Sequence, residues 1–596
     1  MKYYYNIWLI LMALSAPTAS LSAQGNQIGG VINTYRHVTD IAPDRQSVGL
    51  DNVDGLARGD TILLIQMKGA IMYGDYGGST GYGTLAELRG EPGKHEFMII
   101  DNISATSVSF TRTIKNNYDV SGLVQLIKVP SFSSAHVAST LTSEPWDSTT
   151  ATGGVLAFIV GGTLSLGADI DVAGKGFKGG SAVNDNGTQT ANDLYYNTAS
   201  SAAGEKGEGV ANYVRIDAAP TIVPTLPDYA KGRGTNFTGG GGSSAYAGAG
   251  GGAGWNNGGQ GGNPAPSAIL GYDPGPDRWG QQSKSIMGTS LGEMNNRLYL
   301  GSGGGGSTYS NVPPEQLELV SNGASGGGIV IIICGTLEGN GHSIIADGAT
   351  PSVTASGTAG AGGGGGGGAI AVYAHSFAGG AAGNITLSAQ GGKGGNTNNF
   401  YGEGGGGGGG FIITKTSDNN IPASVARLYN GGDQGSVNPP TYTQVSLPGS
   451  IGYEAPNFYT PILNGFLYNN IYSEVTGNSI DSVCYSAPIM DITGSTPAIP
   501  DGSTGFITWQ LAVKQNPDDV PLDTDYANIQ GHENIPLPLG IDYLGTGAPL
   551  LPPAPPSYTV WIRRVVTAVM PAEDDVIDTS QPVRITVHPE IEGNTI

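Results

Sequence analysis

The sequence predicts an all-β protein: a glycine-rich, β-helix-like solenoid flanked by a small N-terminal β-domain and a C-terminal immunoglobulin-like β-sandwich. Three observations carry this prediction. Strand-like runs without helical period fill residues 24–150. Glycine tracts lead straight into short apolar runs, four times over, between 151 and 440. The last part of the chain returns to spaced strand candidates that contain tryptophan.

The chain opens with Lys2, an apolar run from Ile7 to Leu14, and small residues ending at Ser22-Ala23. That order is a secretory signal peptide over 1–23, cleaved before Gln24. The apolar run is far short of the ~20 residues a membrane-spanning helix needs, and no later segment is long and apolar enough. The expectation is an exported, extracellular protein with no transmembrane helix in the mature chain. Glycine makes up 100 of 596 residues, against a usual share of about 7%. Only 12% of residues are charged, while 38% are hydrophobic, enough for a core. A formal charge of −22 disfavours nucleic acid and anionic membranes as partners. With only Cys334 and Cys484, sheet cores and not a disulfide framework must hold the fold. Cys334 ends an apolar run and reads as buried.

In the N-terminal domain, 24–150, Thr61–Met67 and Leu123–Ile127 are the clearest strands. The solenoid spans 151–440. Its glycine tracts precede Val155–Val160, Ile329–Cys334, Ala369–Ala374 and Phe411–Thr414, and second short runs follow at Ile170, Ile344 and Ile385. Stacked short strands with small residues at the corners describe a β-solenoid. Strands buried on both faces read as continuous apolar runs. Tracts such as Gly362–Gly368 abut strands and do not separate domains, so they read as packed, polyproline-II-like segments. Their backbones would approach too closely for any side chain.

Residues 441–470 read as a connector and 471–589 as one sandwich module. Phe506–Leu511, Tyr558–Ile562 and Val583–Val587 are its strand candidates. Glu474-Val475-Thr476-Gly477-Asn478-Ser479-Ile480 recurs as Glu590-Ile591-Glu592-Gly593-Asn594-Thr595-Ile596. Residues 590–596 therefore read as the start of a next module, and the chain as the front of a tandem array.

Gly477-Asn478-Ser479-Ile480, Cys484, Ile562-Arg563-Arg564-Val565-Val566, Asp578-Thr579-Ser580 and Arg584-Ile585-Thr586-Val587 resemble the modules of giant Bacteroidota surface adhesins, including the SprB-type gliding adhesins. The match covers the last fifth of the chain. The second cysteine such modules carry before Asp-Thr-Ser is absent, with Glu573-Asp574-Asp575 in that region, which leaves Cys484 without its usual cross-link. The resemblance implies type IX secretion, with partners in the outer-membrane secretion and motility machinery.

Catalytic patterns are thin. Gly288–Gly292 and Gly323–Gly327 fit the nucleophile-elbow spacing, but about one such match arises from this composition alone. The histidines are scattered, and His532-Glu533 lacks the second histidine of a zinc helix. Arg58-Gly59-Asp60 spells an attachment tripeptide, for which a tight turn is the plainer reading. Asp518, Asp519, Asp523 and Asp525 are the metal candidates, since Ca²⁺ takes oxygen ligands from such loops. Glu573, Asp574, Asp575 and Asp578 form a second acidic cluster, and a solvated acidic loop is the plainer account of both. No cofactor is required by anything in the chain.

The functional expectation is a non-enzymatic cell-surface adhesin. It would bind surface polysaccharide or an external substratum through an extended glycine-rich surface. A structural subunit of a filament or matrix is the first alternative, and a secreted β-helix polysaccharide-degrading enzyme the second. Enzymes of that kind need clustered acid and base residues. Between 326 and 415 only Glu338, Asp347, Lys393, Glu403 and Lys415 are charged at neutral pH.

Overall fold

A computed structural model describes residues 26–74, 81–111, 113–184, 203–216, 221–224, 230–244, 246–263, 283–284, 297–309, 319–398, 400–416, 420–438, 446–456, 471–473, 480–484, 490–494, 504–514, 521–529, 539–541, 558–569, 576–580 and 582–588. The signal-peptide segment and both copies of the Gly-Asn-Ser/Thr-Ile repeat before Ile480 and at 590–596 lie outside these. The fold is all-β, with short 3-10 turns and no α-helix among the described residues.

The predicted runs become the rungs of a parallel solenoid. Val155–Leu166, Ile329–Glu338, Ala369–Phe377, Phe411–Lys415 and Tyr453–Pro456 form one wall, with Val155, Ile329, Ala369, Phe411 and Tyr453 in register. Ala135–Thr142, Ile170–Asp171, Ser343–Ile345, Ile385–Ser388 and Val425–Leu428 form the second, aligning Leu141, Ile170, Ile344, Leu387 and Arg427. Glycines sit at an irregularity within the first wall, where a Cβ on Gly335 would lie 2.6 Å from the Gly162 carbonyl of the coil before. The last rung sits inside the 441–470 stretch read as a connector. It is four residues long, ends in proline and lacks the apolar run that marks the others.

Alternation along the first wall gives two cores. Leu156, Phe158, Val330, Ile332, Cys334, Ile370 and Val372 point between the walls onto Leu141, Ile170, Ile344 and Leu387. Val155, Ala157, Ile159, Ile331, Ile333 and Ala371 point outward, where Leu63, Ile65 and Ile127 cover them. Burial on both faces is why these strands read as unbroken apolar runs.

Those covering residues belong to a closed antiparallel barrel within the N-terminal stretch. Its order is Thr34–Ile41, Ser47–Leu50, Ser107–Phe110, His95–Ile103, Thr61–Gln66, Val124–Lys128. Ile62, Leu64, Met98, Val108 and Leu126 fill its interior. Asn33 completes the junction, donating from Nδ2 to Ala157 O at 2.7 Å while its Oδ1 accepts from Ala157 N–H at 3.2 Å. The outer segments of the same stretch, Asn26–Val31 and Ala135–Thr142, pair in parallel within the solenoid sheet.

The C-terminal residues form two sheets. Ile471–Ser473, Met490–Gly494 and Leu539–Ile541 are antiparallel. The second sheet runs Ile480–Cys484, Val583–His588, Tyr558–Val569, Thr504–Lys514, Ala527–Asn528, its first pair parallel. Ile471 and Ile492 from one sheet meet Trp509, Leu511, Val560, Ile562, Val583 and Ile585 from the other.

Candidate binding surface

Beyond the two walls, each coil travels out and back as extended glycine-rich chain. Tract 362–368 shows the rule. Gly363 and Gly366 donate to Gly305 O and Ser302 O, at 2.9 and 2.8 Å. Gly364 and Gly367 donate to Gly405 O and Gly408 O, at 2.9 and 2.8 Å, and Gly365 and Gly368 to Ala349 O and Ala346 O, at 3.0 and 2.8 Å. Its carbonyls accept from Ala324 and Gly327, from Gly252, and from Gly392 and Gly395. Every third residue thus faces the same neighbour, the periodicity of a polyproline-II helix. Segments far apart in sequence pack around it on all sides in a hydrogen-bonded lattice.

Steric room explains the glycine. A Cβ on Gly363, Gly364, Gly365 or Gly366 would lie 2.0–2.1 Å from a neighbouring backbone oxygen. None of these residues has a left-handed φ, so space and not conformational freedom is what excludes other residues.

Side chains enter where the lattice meets the barrel. Glu208 pairs with Lys68 at 2.7 Å and accepts from Trp146 Nε1 and Lys178 N–H, both at 3.0 Å. Burial alone would raise the Glu208 carboxyl, but Lys68 and these donors outweigh it and hold it below its ordinary value. Nearby, Lys206 Nζ contacts the Tyr82 hydroxyl and is pushed well below the usual lysine range by burial. Tyr82 and Lys206 are both buried.

Among the described residues the last coil of the lattice is 446–452. Gly406 and Gly409 donate to Leu447 O and Ser450 O, at 3.1 and 2.8 Å. One rung further, the positions that would donate to another coil are Pro448 and Ile451. In the adjoining last strand Tyr453 N–H donates inward to Gly410 O at 3.0 Å, so Glu454 and Pro456 face outward. Two of these four outward positions are prolines, which have no N–H to offer. An Arg427–Glu454 ion pair at 2.8 Å closes the end of the core between the walls. Around it Leu428, Leu447, Ile451 and Tyr453 are exposed, Ile451 to 57%.

No protein-family model, curated protein or solved structure matches this chain. Its functional surface must therefore be read from its own geometry.

The sequence-predicted sites are dispersed. Asp518, Asp519, Glu573, Asp574, Asp575 and the His532-Glu533 pair lie outside the described residues, as does the Gly288–Gly292 pattern. Asp523 and Asp525 sit in one 3-10 turn. Asp525 Oδ2 is bound by Lys514 Nζ and by Leu522 N–H, each at 2.7 Å, and these partners hold its carboxyl below the usual range. Among the described residues no three acidic, histidine or cysteine side chains converge. Gly323–Gly327 is a lattice segment and not an elbow: Gly323 and Gly326 donate to Gly180 O and Phe177 O. In the Arg-Gly-Asp tripeptide, Gly59 has φ +86°, Asp60 accepts from Ala57 N–H at 2.7 Å and pairs with Lys128 at 2.8 Å, and Arg58 pairs with Asp101. It is a turn tied down by its own side chains. Cys334 is buried, with its thiol pushed up to about 12 by burial.

Proposed function

We propose that the chain is the N-terminal part of a secreted cell-surface adhesin, with the glycine lattice as a stiff head and the sandwich as its first stalk module. The lattice itself supports this reading most. Among the described residues of 174–452 its segments are locked through main-chain hydrogen bonds, and the coils between 326 and 415 carry few charged side chains. Two of the charged residues in the coils have structural partners: Asp347 accepts from Ser388 Oγ at 2.7 Å, and Glu403 Oε1 from Ser446 Oγ at 2.7 Å. Many rigid copies on one cell would turn weak contacts into firm attachment. The resemblance of the last module adds type IX export and a role in attachment or gliding. Ca²⁺ at the acidic loops belongs to the same proposal.

A surface immunoblot tests it. Antibody against residues 24–596 should detect a protease-sensitive band on intact cells, and deletion of the coding sequence should reduce attachment. A soluble protein in the medium that cleaves polysaccharide would overturn the reading.

A further inference from the structure

The structure assigns a neutral-glycan platform to the outer face of the last coil, centred on Tyr453; the assignment rests on the adhesin reading and narrows its ligand. Tyr453 is 41% exposed, and its ring is not free to wander. It stacks on Trp255, with centroids 4.9 Å apart and planes 16° apart, and Trp255 stacks on Phe411 at 4.3 Å and 28°. Trp255 is itself nearly buried, 8% exposed, so two sequence-distant elements fix the outermost ring in place. A pre-ordered aromatic ring can bind without paying the entropy of arresting a side chain.

The surroundings choose the ligand class. Main-chain addition by a peptide or a second copy is disfavoured, because Pro448 and Pro456 occupy outward-facing backbone positions. What remains is recognition by side-chain faces. Ile451 and Leu447 extend the apolar area around Tyr453. Neutral polar residues flank that area, and the nearby Glu454 carboxylate is paired with Arg427 at 2.8 Å. Asn256 donates from Nδ2 to Ile451 O at 2.8 Å, and the Asn257 carbonyl accepts from Ser450 N–H at 2.9 Å, which places both amide residues, next in sequence to Trp255, against the Ser450-Ile451 segment two residues before Tyr453. An aromatic face with an amide and hydroxyl rim matches a pyranose, which has an apolar C–H face and equatorial hydroxyls. The chain's net charge of −22 weighs against an anionic polymer and for a neutral one.

The test uses the exported chain labelled with 5-fluorotryptophan, with Trp255→Phe assigning the Trp255 ¹⁹F resonance. Neutral linear hexasaccharides (cello-, xylo- and laminari-) are titrated to millimolar concentration beside an alginate hexamer. The expected result is a saturable shift of the Trp255 resonance with at least one neutral sugar and none with alginate. Tyr453→Ala should weaken that binding at least about tenfold, and Tyr453→Phe should retain it. Unchanged thermal melting of both variants excludes misfolding as the cause. No shift with any neutral sugar, or equal binding by Tyr453→Ala, overturns the platform, as does a concentration-dependent dimer that perturbs the same resonance without sugar. Cell attachment separates the two claims. Attachment lost on deletion but kept by Tyr453→Ala sinks the platform alone, whereas sugar binding without any attachment defect on deletion sinks the adhesin reading.

Discussion

At Gly365 the absent side chain is the structural feature. A Cβ there would stand 2.0 Å from Ser325 O, a backbone atom that cannot swing aside. Gly365→Ala should cost about 3–5 kcal/mol, at the upper end for single substitutions. Gly341 has open space but φ +84°, so Gly341→Ala should cost about 1 kcal/mol through backbone strain alone. Gly379 has neither constraint, and Gly379→Ala should stay within about 0.5 kcal/mol of the parent. Denaturant melts of the three rank room, strain and neither. His95 makes a different residue-scale case. Its ring is buried, Nε2 has no partner, and burial pushes its pKa from 6.5 down to about 4. Between those values the unfolded chain holds a proton that the folded barrel refuses. Stability is therefore complete above pH 6.5 and falls as the pH drops toward 4, by on the order of 3 kcal/mol. His95→Phe should flatten the fall in melting temperature between pH 7 and pH 4.5, and an unchanged slope would place the acid sensitivity elsewhere.

Elements differ in how openly the sequence declares them. Val155, Ile329, Ala369 and Phe411 begin runs that are apolar throughout because both faces of their wall are buried, and each was visible for that reason. Thr61–Gln66 was visible too, yet its destination was not. Ile62 and Leu64 fill the barrel while Leu63 and Ile65 cover the solenoid, and a run of apolar residues does not say which neighbour each face will meet. Closure of the barrel depends on antiparallel pairings such as Tyr35 with Ile127, more than ninety positions apart, which local patterning cannot encode. The glycine tracts announced close packing without naming partners: Gly363 finds Gly305 on one side and Ala324 on another. Arg564 was legible only as part of a strand. It is fully buried over Trp509, with its guanidinium 5.6 Å from the ring, a position that its charge argued against. The exposed Tyr453 platform was missed because its rung is short and its partner Trp255 lies in a distant loop. Pro448 and Pro456 were the available signal, since two prolines bracketing a tyrosine mark an edge more readily than a connector.

At the scale of the whole molecule, a lattice built from main-chain hydrogen bonds has an inherent hazard: nothing in its geometry tells it where to stop. Each coil presents to the next the same donors that it received, and an open edge of this kind recruits further chains. Here Gly364 and Gly406 each donate to the following coil, and at the next equivalent position stands Pro448. Proline in the last strand, Pro456, removes a second donor beside it. Charge supplies a long-range brake, but at physiological salt it is screened beyond about 8 Å and cannot block an edge in contact. The prolines act at contact distance. Pro448→Gly with Pro456→Val should therefore restore two outward N–H groups and produce concentration-dependent oligomers that the parent does not form. Analytical ultracentrifugation over a range of protein concentrations reads this directly. If the double variant sediments as a monomer throughout, the stop lies in the Arg427–Glu454 pair and the exposed side chains, and the prolines are incidental to it.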